Sequence, residues 1–259
     1  MKRVIFNQKG GVGKSTLSVN LAAQNALCGH RTLLVDLDSQ GNSTRYVGVD
    51  GQLYGNTVAD MFKQVAGWFS SPKPAHAFVH PTVVEHLDVL PAHPSLAQIE
   101  HELESRYKMF KLKDALTTLS TQYHSIYIDT PPNFNFYSKA ALIAADRFLV
   151  PFDCDDFSAM AIDRLLSNVL ELKQDHNAEL VFEGVIVNQF NPQAKLPKTL
   201  IQMLKDKDLP VLAPYIGSSV KVKESHSARI PMVAMAPGHK VSKQLLALYH
   251  TLQATPPHP

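Results

Sequence analysis

The run Lys9-Gly10-Gly11-Val12-Gly13-Lys14-Ser15-Thr16 follows the short apolar segment Arg3-Val4-Ile5-Phe6 and leads at once into a helical pattern from Lys14 to Leu27. Read together, these residues make a strand, a loop and a helix. Small residues at 10, 11 and 13 let backbone N–H groups curl inward around phosphate oxygens, and the helix adds the positive end of its dipole. In that setting Lys14 bridges terminal phosphates and Ser15 ligates Mg²⁺. The strand and helix on either side set the run apart from a chance glycine-rich turn.

Working outward, short β-rich runs alternate with segments of helical period. Strands are predicted at Arg3 to Phe6, Thr32 to Val35, Leu87 to Leu90, Ile126 to Ile128, Phe148 to Val150 and Val185 to Val187. Helices are predicted at Lys14 to Leu27, Leu96 to Arg106, Leu112 to Thr121, Ser138 to Ala145, Ala159 to Leu172, Lys198 to Asp206 and Lys240 to Leu252. Right-handed βαβ crossovers then give a three-layer α/β fold: a central, mainly parallel sheet of about seven or eight strands flanked by helices. Residues 1–259 read as a single domain, with a frayed tail at 255–259. The proline-rich stretch from Gly67 to Pro94 reads as an irregular excursion interrupted by the strand at Leu87.

Composition excludes several classes. Cys28 and Cys154 stand far apart with no CxxC, which argues against a disulfide framework or a thiolate metal site and for a reducing cytoplasm. No apolar run approaches the roughly 18 residues of a membrane span, and no leader pattern opens the chain. His76 and His80 are four apart, but Pro74 and Pro81 deny them a helix, so they read as solvated loop residues. A net charge of +2 is too mild to indicate nucleic acid by itself.

The strict pattern GxxxxGK[ST] requires glycine where this chain has Gln8, and a second lysine stands at position 9. Spacing alone leaves Lys9 either solvated or reaching another subunit's nucleotide, as an arginine finger does. Two further runs, Asp36-Leu37-Asp38-Ser39-Gln40-Gly41-Asn42 and Ser125-Ile126-Tyr127-Ile128-Asp129-Thr130-Pro131-Pro132, end strands in carboxylates, at the sheet edge where such folds bind ligands.

With KGGVGKST, DLDSQGN and IDTPP on the page, the chain resembles the ParA/MinD family of deviant Walker P-loop ATPases, from Met1 to about Leu252, and within it the branch that positions DNA or large protein cargo. The resemblance implies ATP and Mg²⁺ as cofactors and an ATP-sandwiched homodimer with slow, partner-stimulated hydrolysis. It assigns Lys9 across the dimer, and Lys14 and Asp38 to catalysis, with Asp38 supporting the attacking water. Gly10, Gly11, Val12, Gly13, Lys14, Ser15, Thr16 and Asp129 then hold nucleotide, and Ser15, Asp36 and Asp129 the metal. Asn188 matches a position that recognises adenine, or is simply a turn residue at a strand end. Gly217 and Ser218 stand where many relatives carry proline and arginine, and Phe152-Asp153-Cys154-Asp155-Asp156-Phe157 is unusually acidic.

Charge is uneven. From Gly184 onward nine basic residues face three acidic ones, a net +6 that leaves −4 for the remainder. Lys195, Lys198, Lys221, Lys223, Arg229, Lys240 and Lys243 are the candidate contacts to a phosphate backbone, the nonspecific nucleoid binding that the resemblance implies. The expected partners are a second copy, DNA, and a ParB-like or cargo adaptor, in a nucleoid-associated cytoplasmic protein. A plasmid or chromosome partition complex is the expected cargo, with a chemotaxis array or carboxysome as the alternative. A MinD-like membrane role would need a basic amphipathic end helix, which Ser242 to His250 does not supply.

Overall fold

The computed structural model describes residues 1–50, 55–64, 71–154 and 156–254. The tail at 255–259 and residues 67–70 of the proline-rich stretch lie outside the described residues. The chain begins β1 (Lys2–Ile5), α1 (Lys14–Leu27), β2 (Thr32–Asp36), α2 (Asn42–Tyr46), α3 (Val58–Lys63), β3 (His80–Pro81) and β4 (Leu87–Leu90). It continues through α4 (Leu96–Ser105), α5 (Lys111–Leu119), β5 (Ser125–Asp129), α6 (Phe136–Ala144), β6 (Arg147–Phe152) and α7 (Asp156–His176). The last third holds β7 (Val181–Val187), α8 (Lys195–Asp206), β8 (Val211–Leu212), α9 (Val220–Ala228), α10 (Met232–Met235) and α11 (Lys240–Ala254).

The strands form one eight-stranded sheet in the order β3-β4-β2-β5-β1-β6-β7-β8, parallel except for the edge pair β3 and β4. This is the three-layer α/β architecture that the alternation of patterns predicts. Strand side chains alternate between two cores. Val4, Leu33, Ile128, Val150 and Val185 face one side with α3 to α8, whereas Ile5, Leu34, Tyr127, Leu149 and Ile186 face α1, α10 and α11. Because the strands are buried on both faces, they read in sequence as continuous apolar runs.

Arg3 departs from that apolar rule. Its fully buried guanidinium makes bonds of 2.5 and 2.7 Å to Glu183, which also accepts from Arg147 at 3.1 Å, so the ion cluster ties β1, β6 and β7 together. Such a cluster contributes little net stability against an apolar equivalent, but removing one member would strand a buried charge.

Part of the proline-rich stretch is more ordered than its composition predicts. A single 3₁₀ turn at Ala75–Phe78 leads into β3, and His80 is half-buried with Nε2 2.8 Å from the Asn56 carbonyl, so it is not a solvated loop histidine. The periodicity passed over α2, α3, α9 and α10, and two of these have local reasons. α3 starts from a Thr57/Asp60 capping box, and α9 buries only Ser225, so it carries no apolar stripe to read.

Candidate nucleotide-binding site

β1 lies in the middle of the sheet between β5 and β6, so the loop after it opens over the carboxyl ends of its neighbours. Gly11 (φ 78°) and Gly13 (φ 91°) take left-handed conformations there. At Gly13 space is also short, since a Cβ would stand 2.1 Å from Nδ2 of Asn188. That amide donates to the Val12 carbonyl at 2.9 Å, and Gln189 Nε2 donates to the Gly11 carbonyl at 2.9 Å. Holding these carbonyls outward turns the following N–H groups the opposite way, because the peptide is planar and trans.

The two lysines divide. Lys14 is buried, with Nζ donating to the Lys9 carbonyl at 2.8 Å, and burial lowers its pKa against the opposing pull of Asp129 and Asp38. Lys9 stands on the outer lip, about a third exposed, its Nζ 2.8 Å from Asp153.

Asp36 and Asp129 are register partners at the ends of β2 and β5, and both are fully buried. Asp36 accepts from the Thr44 backbone and hydroxyl, each at 2.8 Å, and from the Asp38 backbone N–H at 3.1 Å. Asp129 accepts from Ser43 at 2.7 Å, from Ser18 at 3.3 Å, and from the Ser15 hydroxyl. Burial raises both carboxyl pKa values, and the repulsion from Asp129 raises that of Asp36 further. Asp129 therefore adjoins Ser15, while Asp36 is committed to holding α2 behind it. Asp38 accepts from the Gln40 backbone at 2.9 Å and keeps slight exposure at the mouth.

These residues fit Mg²⁺ carried on a nucleotide. Ser15 and Asp129 offer two adjoining oxygen donors, and Mg²⁺ characteristically takes one or two protein ligands together with phosphate oxygens and water. Beside the loop lies a cavity of about 410 Å³ bounded by Gly11, Gly13, Thr16, Asn188, Gly217 and Ser218. Its size suits a nucleoside. Sequence reading missed Gln189, Ser18, Ser43, Thr44 and Asp153, of which only Asp153 stood in a run singled out above.

The candidate DNA contacts come from helices on both faces of the sheet. Lys195 and Lys198 lie on α8, whose Leu200 and Leu204 belong to one core, and Lys240 and Lys243 on α11, whose Leu245 and Leu248 belong to the other. Lys221, paired with Glu224 at 2.8 Å, and Lys223 lie on α9, and Arg229 follows it. Packing thus splits the basic residues between the two faces of the sheet.

Fold and site together define a P-loop ATPase whose loop carries an additional lysine. A family profile described as "AAA domain" matches residues 2–182. The chain is 32% identical over 249 residues to the chromosome partitioning protein ParA of Myxococcus xanthus, covering 94% of this chain and 84% of that one. It is 33% identical over 249 residues to the sporulation initiation inhibitor protein Soj of Bacillus subtilis, covering 94% of each. Cobyrinic acid a,c-diamide synthase from Mycobacterium smegmatis, solved with an ATP analog and magnesium, superposes with a TM-score of 0.85 at 25% identity over 97% of this chain and 93% of that one. The chain belongs to the ParA family of P-loop ATPases, with ATP and Mg²⁺ as its cofactors. No helix among the described residues is long and apolar enough to cross a membrane.

Proposed function

We propose that the protein is an ATP-driven dimerisation switch that binds DNA nonspecifically and positions a plasmid or chromosome partition complex, an adaptor of the ParB kind stimulating its hydrolysis. The observation that carries this reading is the division of the two lysines: Lys14 turns into its own loop, while Lys9 stands on the lip of the site, directed at Asp153. A cation at that lip is of most use to a phosphate chain presented by a second copy, where it would stabilise charge developing in the transition state. The relatives named for partitioning support the same reading at 32 and 33% identity over nearly the whole chain. The synthase shares the fold at lower identity and supports a metabolic role less well. In this scheme Ser15 and Asp129 hold Mg²⁺, Asp38 orients the attacking water, and Asn188 faces the base.

Sedimentation with ATP, with ADP and without nucleotide tests it. Wild type is expected to dimerise with ATP alone, Lys9→Ala to bind ATP yet remain monomeric, and Asp38→Ala to persist as a dimer because the water is no longer activated. Lys14→Ala is expected to bind no ATP. A Lys9→Ala variant that dimerises and hydrolyses as wild type does would remove the cross-subunit role.

A further inference from the structure

Helix α9 borders the nucleotide cavity and has no part in the chemistry described so far. Its His226 is held on two sides. Nε2 lies 3.1 Å from Oγ1 of Thr16, and the ring stacks on Tyr46 of α2 with centroids 3.8 Å apart and planes inclined by 21°. Tyr46 is fixed in turn, its hydroxyl bonded to Ser225 at 2.7 Å and receiving Asn20 and the Met232 backbone N–H, each at 3.2 Å. The imidazole cannot rotate away without losing the stack. Burial lowers its pKa, so near pH 7 the ring is neutral and carries a single N–H.

The Thr16 hydroxyl has one hydrogen to give. If it donates to Nε2, nothing remains for a phosphate oxygen. If the ring carries its proton on Nε2, that N–H donates to a lone pair of Oγ1 and leaves the hydroxyl hydrogen for an anion in the cavity. Only the second arrangement serves a phosphate ligand. We propose that His226 is a positioning residue for the nucleotide: as the Nε2–H tautomer it donates to Thr16 and directs that hydroxyl toward the phosphates, linking α9 to the state of the site. This rests on the assignment of Thr16 to the phosphates. The same histidine stands one helical turn beyond Lys223, so nucleotide capture and the placement of a basic helix share one hydrogen bond.

A double-mutant cycle separates the two claims. Affinities for Mg-ATP and ADP would be measured calorimetrically for wild type, Thr16→Ala, His226→Phe, His226→Gln and the Thr16→Ala/His226→Phe pair, with ¹⁵N spectra of the wild-type imidazole before and after ADP. Phenylalanine keeps the volume and the stack but removes the donor, so about a tenfold loss is expected for both nucleotides. Glutamine, which retains an N–H donor, should recover most of it, and the Phe change should cost nothing further once Thr16 is alanine. The spectra should place the proton on Nε2 in the ADP complex. Wild-type affinity in His226→Phe, an undiminished loss in the Thr16→Ala background, or a proton on Nδ1 would overturn the inference alone. Unchanged affinity in Thr16→Ala would overturn the assignment of Thr16 and the inference with it. The tautomer, read on the wild-type chain, decides the matter even if His226→Phe fails to fold.

Discussion

At Gly13 the absence of a side chain is required twice, by a left-handed φ of 91° and by the Asn188 amide 2.1 Å from where a Cβ would stand. Gly13→Ala is therefore expected to lose about 1–3 kcal/mol of stability and to bind ATP poorly. Thermal melts with and without nucleotide check both. Combining it with Asn188→Ala should recover the part due to the clash and leave the backbone strain. The buried carboxyl pair supplies a pH effect. Asp36 titrates above the ordinary carboxylate range because burial and Asp129 disfavour its charge, so the folded state binds its proton more tightly than the unfolded chain. Its contribution to stability is then fully present below the unfolded pKa of about 4 and is lost as pH rises through the higher folded value. Denaturant melts of the nucleotide-free protein in chelator should show this decline, and Asp36→Asn should flatten it. A stability that climbs through the same interval in the wild type alone would contradict the assignment.

Among the elements, the end of β7 does more than continue the sheet. Asn188 and Gln189 reach over from it to clasp successive carbonyls of the loop after β1, although some 176 residues separate the partners in sequence. The Val12 carbonyl is inside the protein, whereas the Gly11 carbonyl is at the surface and water can replace Gln189 there. Asn188→Ala should accordingly cost about 1–2 kcal/mol of stability, by orphaning a buried acceptor, while Gln189→Ala costs only a few tenths. Both should weaken ATP binding, because each frees a peptide of the cradle. Chemical denaturation alongside nucleotide titration distinguishes the two residues. Equal stability losses would show that the Gln189 contact is as protected as its neighbour.

At the scale of the whole molecule, the question is how basic residues on opposite faces of one sheet could meet one DNA duplex. The proposed dimerisation would supply an answer by bringing two copies of each group together, and charge addition then predicts the salt dependence. Nonspecific affinity falls with salt at a slope of roughly −0.9 per phosphate neutralised, so an ATP-bound dimer should bind more tightly and more steeply than the ADP form. Binding to two unrelated duplexes across a salt series would be compared for Lys195→Glu/Lys198→Glu on α8 and Lys221→Glu/Lys223→Glu on α9. The expectation is that the α9 pair flattens the slope and the α8 pair does so less, since α9 borders the nucleotide cavity. An ATP-bound protein that ignores DNA at low salt would turn attention to a protein or membrane track.

The sequence by itself determined the layered fold and the place of the glycine-rich loop, because both are local in the chain. Apolar runs buried on both faces alternate with helical periods, and the loop from Lys9 to Thr16 needs only adjacent small residues and the helix that follows. The places of Asp36, Asp38 and Asp129 were legible for a related reason: a carboxylate closing an apolar run marks the edge where such a sheet opens. Tertiary structure alone decided the rest. That Asn188 and Gln189 clamp the loop, that Asp153 faces Lys9, and that His226 leans on Tyr46 to reach Thr16 all follow from crossovers joining distant segments. The division of the basic residues between two faces has the same origin. Charge along a chain adds up without regard to direction, and only the packing of α8 and α11 on opposite sides of the sheet decides on which face each lysine-bearing helix lies.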